Sequence, residues 1–282
     1  MSSFDQTALE GLEREAQRRR IAFADGQVSW RRFGSGPSMV LLHGGHGRWT
    51  HWARNIRAWA AHFTLWIPDL PGYGDSDKPL EPSMDALVTA TLETLDAVVP
   101  RGMPLRLAGF SFGALVAAHL ALRRGAIHQM VLLGPAGHGG ARRPRGELRS
   151  WRELPKGGAA WTEAMRHNLA MHMFHDPANV DVQALAIHSQ ACERARFNSK
   201  PLSRAGGLGR CLQGYTGPLL LAWGEHDVTA HPSLAAAPLM EGRRHARACI
   251  VPNAGHWVQY ESAERVNELV LSWLLSTDHE QS

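Results

Sequence analysis

The chain has little cysteine: Cys192, Cys211 and Cys249 are odd in number and widely spaced among 282 residues. They fit neither a disulfide framework nor a zinc-binding spacing, and are read as packing residues. No stretch of about 18 apolar residues is present to cross a bilayer. The opening residues lack the basic start and apolar core of a secretory signal, so a cytoplasmic protein with no membrane partner is expected. Acidic residues trail basic ones by only four, 26 against 30. Much of the basic excess sits in Arg18-Arg19-Arg20 and Arg142-Arg143-Pro144-Arg145, with no interleaved aromatics. Such runs read as solvated faces, and no nucleic-acid partner is expected. Internal repeats and long low-complexity segments are also missing.

What is present is a core-building sequence, 44% hydrophobic, long enough for one large domain carrying an insertion. Its most informative stretch is Ala108-Gly109-Phe110-Ser111-Phe112-Gly113-Ala114. Residues 105–108 read as a strand and 114–122 as a helix, which puts Ser111 on a sharp strand-to-helix turn. The two glycines leave room for that turn, and the helix aims its positive end at charge developing beside Ser111. An acid and a histidine follow it, in the chain order Ser, acid, His. A buried strand over 218–224 runs into Glu225-His226-Asp227, and a short strand over 248–251 leads to Gly255-His256-Trp257.

A serine hydroxyl is a poor nucleophile at neutral pH and needs a base within hydrogen-bond reach. His256 supplies one, and Asp227 fixes its tautomer and stabilises the imidazolium. Asp227 can also be read as a helix cap, with Glu225 as the acid; the Gly-x-x-Asp pattern favours Asp227.

Coarsely, a charged helix is expected over residues 7–20, followed by strands over 27–33 and 38–42 that form an antiparallel edge. Residues 49–61 and 84–98 read as helices, 64–68 as a strand, 111–123 as the helix after the serine, and 128–133 as a strand. This alternation implies a mostly parallel sheet covered on both faces. Between residues 134 and 217 it stops. A Gly-, Arg- and Pro-rich approach segment is expected to be mobile over the site, and helices follow over 161–174 and 181–195. His167, His172 and His175 lie there among Met165, Met171, Met173 and Phe174; they show no metalloprotease pattern and read as a lining.

Together with Val40-Leu41-Leu42-His43-Gly44-Gly45 and Pro68-Asp69-Leu70-Pro71-Gly72-Tyr73-Gly74-Asp75-Ser76, these motifs resemble the α/β-hydrolase superfamily over residues 23–275. The resemblance implies an α/β-hydrolase fold: a mostly parallel sheet flanked by helices, with a helical cap inserted after the sixth core strand. Residues 1–136 and 215–282 are assigned to the core and 137–214 to the cap. It also implies an oxyanion hole made by the backbone N–H groups of Gly45 and Phe112, with His43 shaping that loop.

Haloalkane dehalogenases and epoxide hydrolases of this fold carry aspartate where this chain has Ser111, which leaves acyl or carbon–carbon hydrolysis. Trp49, Arg54-Asn55, residues 196–202 and Gly255-His256-Trp257-Val258-Gln259 resemble the meta-cleavage-product hydrolases. Phe110 and His51 stand where those enzymes carry asparagine. The expected function is therefore a serine hydrolase of carboxylic esters working through an acyl-enzyme. The alternatives are a carbon–carbon hydrolase of vinylogous diketones and, in another class, a non-catalytic small-ligand receptor. Trp49, His51, Phe110, Phe174, Arg196 and Trp257 are the expected substrate pocket, with Arg194 as another cap arginine for a carboxylate. No metal or cofactor is expected, and the partner is a small-molecule substrate of a monomer or homodimer.

Overall fold

The computed structural model describes residues 3–279. In chain order the elements are α1 Ser3–Glu15, β1 Gln17–Phe23, β2 Gly26–Phe33, β3 Ser38–Leu42, α2 Ile56–Ala60, β4 Thr64–Pro68, α3 Met84–Val98, β5 Leu105–Phe110, α4 Phe112–Arg124 and β6 Ile127–Leu133. After β6 come four helices with no strand between them: α5 Ala159–Met173, α6 Val182–Glu193, α7 Lys200–Arg204 and α8 Leu208–Gln213. The sheet then resumes with β7 Leu219–Gly224, α9 Pro232–Met240 and β8 Ala246–Val251, and the chain closes with α10 Val258–Glu261 and α11 Ala263–His279.

One eight-stranded sheet runs in the order β1-β2-β4-β3-β5-β6-β7-β8. Every pairing from β4 to β8 is parallel, while β1–β2 and β2–β4 are antiparallel. The central strands are apolar throughout because both faces are covered. Along β5, Leu105 and Leu107 point into one core layer while Ala108 and Phe110 point into the other. Along β7, Leu219, Leu221 and Trp223 alternate in the same way with Leu220 and Ala222. This is the expected sheet, with the helical insertion after the sixth strand.

Three local expectations differ. The helix expected over 7–20 stops at Glu15, and Arg18, Arg19 and Arg20 lie on β1, in register with Arg31, Trp30 and Ser29 of β2. Charged side chains on the exposed side of an edge strand mimic a charged helix face, and pairing with β2 decides the outcome. Strand β3 belongs to the middle of the sheet, between β4 and β5, so the antiparallel edge is β1 and β2 alone. Residues 49–61 do not form one helix but a 3₁₀ turn, Trp49–Trp52, followed by α2. Asp69 accepts the Trp49 N–H at 2.8 Å, and the Asn55 side chain is tied to Gln259 and Asn267, which breaks the helix into two pieces.

Gly109 and Gly113 bracket the turn after β5. A Cβ on Gly113 would lie 2.2 Å from the Leu42 carbonyl oxygen, and one on Gly109 2.5 Å from the Ala114 Cα. Both obstacles are backbone. Gly113→Ala is therefore expected to cost about 3 kcal/mol and to lower Tm by roughly 5–10 °C in thermal unfolding. An unchanged Tm would show that α4 does not press on β3 as described.

Candidate active site

Ser111 sits between β5 and α4 with φ 52° and ψ −114°, a conformation that L residues rarely adopt. Three backbone hydrogen bonds hold it there. Its N–H donates to Leu133 O at 2.9 Å, and its carbonyl accepts from Ala114 and Ala136, both at 3.0 Å. The turn thus lifts the hydroxyl clear of the sheet at the C-terminal ends of the parallel strands, where open α/β sheets bind ligands.

The other two groups come from neighbouring strand ends. Asp227 follows β7 in a turn closed by its N–H to Gly224 O, and His256 lies on the loop after β8. Ser111 Oγ is 2.9 Å from His256 Nε2, and His256 Nδ1 is 2.8 Å from Asp227 Oδ2. Both His256 and Asp227 are buried. The other carboxylate oxygen of Asp227 accepts from the Thr229 N–H at 2.7 Å and its hydroxyl at 2.8 Å. Burial alone would raise the Asp227 pKa; the adjacent His256 and the two Thr229 bonds outweigh it and hold the carboxyl below its usual range. An ionised acceptor on Nδ1 assigns the ring proton to that nitrogen and leaves Nε2 to accept from Ser111. Glu225, by contrast, is half exposed and accepts from the Asn253 N–H.

Thr229 is a member of the site that the sequence reading misses, although Asp-x-Thr is the spacing at which an aspartate caps the backbone two residues on. The loop of His256 is tied to the cap, since the Trp257 N–H donates to Met173 O at 2.8 Å.

Gly45 and Phe112 flank Ser111, Gly45 on the cavity wall and Phe112 as the first residue of α4. Neither amide has a protein acceptor among the described residues. His43 clamps the Gly45 loop: its Nδ1–H donates to Gly44 O at 2.8 Å and its Nε2 accepts from the Leu70 N–H at 2.9 Å. Burial lowers its pKa to about 4 and keeps it neutral for both bonds.

A cavity of about 510 Å³ opens above Ser111, between the sheet ends and the cap. His51 and Phe110 line it. The other four residues expected in the pocket lie off its wall. Trp49 is buried beneath the Arg31 guanidinium, 4.7 Å from the ring centre. Trp257 stacks on Tyr260 and donates from Nε1 to His51 O, so it supports His51 from behind. Phe174 packs edge-on against Trp257 and Tyr260. Arg196 donates to the carbonyl oxygens of Ser76 and Gly74, and Arg194 pairs with Asp75, so both cap arginines are spent on the 69–76 loop.

Of the three histidines expected as a lining, His167, His172 and His175, only His172 reaches the cavity, with its ring centre 5.6 Å from that of His256. His167 binds Glu147 O, and His175 stacks on His226. His188, outside the expected set, also lines the cavity. Burial lowers the pKa of His172 to about 3 and of His188 to about 4, so both are neutral polar groups at pH 7. No set of three or more His, Cys, Asp or Glu is placed to hold a metal among the described residues. Nor is any described helix long and apolar enough to cross a membrane.

Known proteins give this geometry its context. The chain is 41% identical over 95 residues to a pimeloyl-[acyl-carrier protein] methyl ester esterase of Aeromonas salmonicida (strain A449). That match covers 34% of this chain and 36% of the esterase, so it spans about a third of each. Similarity to a 2-hydroxy-6-oxo-6-phenylhexa-2,4-dienoate hydrolase of Comamonas testosteroni is lower, 25%, but extends over 89% of this chain and 92% of that one. Among solved structures, carboxylesterase CesB (YbfK) from Bacillus subtilis superposes with a TM-score of 0.74 at 20% identity, covering 96% of this chain and 95% of the other. The profile of the alpha/beta hydrolase family matches residues 39–269, and the chain belongs to that family.

Proposed function

We propose that the protein hydrolyses carboxylic esters through an acyl-enzyme on Ser111, with His256 as base and acid and Asp227 orienting it, and that residues 137–214 form the cap over this site. The observation that carries the reading is the unbroken relay from Ser111 Oγ through His256 to a buried Asp227, at 2.9 and 2.8 Å. In the first half-reaction Ser111 Oγ attacks the ester carbonyl and its proton passes to His256 Nε2. The oxyanion is met by the N–H groups of Gly45 and Phe112, each worth roughly 3 kcal/mol in the transition state. The tetrahedral intermediate then expels the alcohol, which takes the proton from His256. In the second half-reaction His256 removes a proton from water, the hydroxide adds to the acyl carbonyl, and Ser111 leaves with that proton, releasing the acid.

Release of nitrophenol from short para-nitrophenyl esters tests this. A burst stoichiometric with enzyme, with the acyl mass found on the peptide bearing Ser111, is the expected result. Turnover without acylation of Ser111 would overturn the mechanism.

Carbon–carbon hydrolysis stands second because the similarity to the Comamonas hydrolase runs through the cap as well as the core. Against it, Phe110 and His51 occupy the cavity where asparagines are expected of that chemistry. A vinylogous diketone offered beside the esters separates the two by which substrate is consumed.

A further inference from the structure

The cavity wall is one-sided in charge. Arg142, Arg145, Arg149, Arg152, Lys200 and Arg204 all line it, and not one aspartate or glutamate does. Among these cations only Arg149 has a carboxylate partner within the described residues, the exposed Glu163 at 3.1 Å. Arg142 and Arg145 meet backbone carbonyl oxygens, of Ser203 and Gly146, and Arg152 lies over the Trp151 ring. Lys200 and Arg204 have no ion-pair partner among the described residues.

Arg145, Arg149, Arg152, Lys200 and Arg204 are exposed at the rim of the cavity and Arg142 is half buried, so like charges face one another across its mouth and repel. Arg142 is the innermost, half buried close to Arg204 and Arg145, which lower its pKa after burial itself does; Asp227 pulls the other way. The field of the ring also reaches inside. Arg145 acts on His172, and Arg152 and Lys200 act on His46, in each case after burial. The imidazoles they act on are neutral, so the wall holds surplus positive charge and uncharged hydrogen-bonding groups together.

We propose that the substrate carries an anionic group, a carboxylate or a phosphate, on the end that projects from Ser111 toward Arg142, Arg145 and Arg204. This rests on the ester-hydrolase reading and narrows its substrate class. A neutral ester brings no counter-charge to this rim, whereas an anion bridging these side chains reduces their repulsion and gains charge-assisted hydrogen bonds. A cavity lined by one sign of charge also raises the local concentration of the opposite ion.

The test compares para-nitrophenyl esters of matched acyl length ending in a methyl, a carboxylate or a phosphonate group: pentanoate, hydrogen glutarate and phosphonobutanoate. At low salt, kcat/KM for an anionic ester is expected to exceed that for pentanoate by about tenfold or more. The ratio should shrink as salt approaches about 0.5 M. It should also fall several-fold in Arg142→Gln and in the surface pair Arg145→Gln with Arg204→Gln. The better of the two anionic esters identifies the group. A ratio near one, insensitive to salt and to these variants, overturns the proposal while leaving serine hydrolysis intact. If no ester is cleaved, the ester reading fails, and calorimetric titration of the wild type with glutarate and with inorganic phosphate decides the anion site separately. Saturable binding lost in Arg142→Gln supports it, and the absence of binding overturns it.

Discussion

Ser111→Ala is expected to lower kcat on a para-nitrophenyl ester by about 10⁴- to 10⁶-fold while leaving Tm within about 3 °C of the wild type. The two halves of that expectation have separate origins. Chemistry is lost because Oγ is the atom that would become acylated, and among the described residues no other serine or cysteine is hydrogen-bonded to the His256 imidazole. Cys192 lines the same cavity, but burial pushes its thiol up to about 12, so it supplies almost no thiolate at neutral pH. Stability is kept because the turn is held by backbone bonds to Leu133, Ala114 and Ala136, all of which alanine retains. The lost side-chain hydrogen bond is worth about 1 kcal/mol. Steady-state turnover and a thermal melt on the same preparation check both halves. Retained turnover would remove Ser111 from the reaction, and a collapse of Tm would show that its hydroxyl is structural.

The sheet and the relay are legible in the sequence because each rests on a short-range signal. Buried parallel strands are unbroken apolar runs, as in Leu219-Leu220-Leu221-Ala222, and the sharp turn at Ser111 needs Gly109 and Gly113 because backbone presses on both. What the sequence hides depends on contacts distant along the chain. Residues 18–20 have the charge density of an exposed helix, and only their partners on β2 make them a strand. Trp49 lies four residues beyond Gly45, yet its N–H is fixed by Asp69 and its ring turns beneath Arg31, away from the cavity. Arg196 is the natural cap cation to choose, but the carbonyl oxygens of Gly74 and Ser76 claim it. Of the cations that do line the cavity, Arg142, Arg145 and Arg149 lie on a segment with no helical or strand period, residues 141–150, so nothing local shows which way they face. Arg142 and Arg145 belong to a basic run that, taken alone, reads as a solvated face.

Asp227→Asn is expected to reduce kcat by about 10⁴-fold, with Glu225→Gln close to wild type. The difference follows from what each side chain touches. Glu225 is half exposed, accepts from the Asn253 N–H and lies 3.5 Å from the His226 ring, with no bond to His256. Asp227 is fully buried and accepts from Nδ1 of His256 and from Thr229. An asparagine there can turn its NH₂ toward Nδ1, which then becomes the acceptor and leaves the proton on Nε2. An imidazole protonated on Nε2 cannot take the proton of Ser111, although every heavy atom stays in place. The same carboxylate also links stability to pH. Burial raises its pKa, but the charge and hydrogen bond of His256 and the two Thr229 bonds win, so the folded value lies below the ordinary carboxylate pKa of about 3.9. A depressed folded pKa contributes stability above the unfolded pKa, and that contribution is lost as pH falls through the folded value. Asp227→Asn removes this dependence, so the loss of Tm between neutral pH and the acid limit should be smaller in the variant than in the wild type. Activity and Tm measured for both variants across that range distinguish the two carboxylates. Equal losses of activity in Asp227→Asn and Glu225→Gln would assign the orienting role to neither alone.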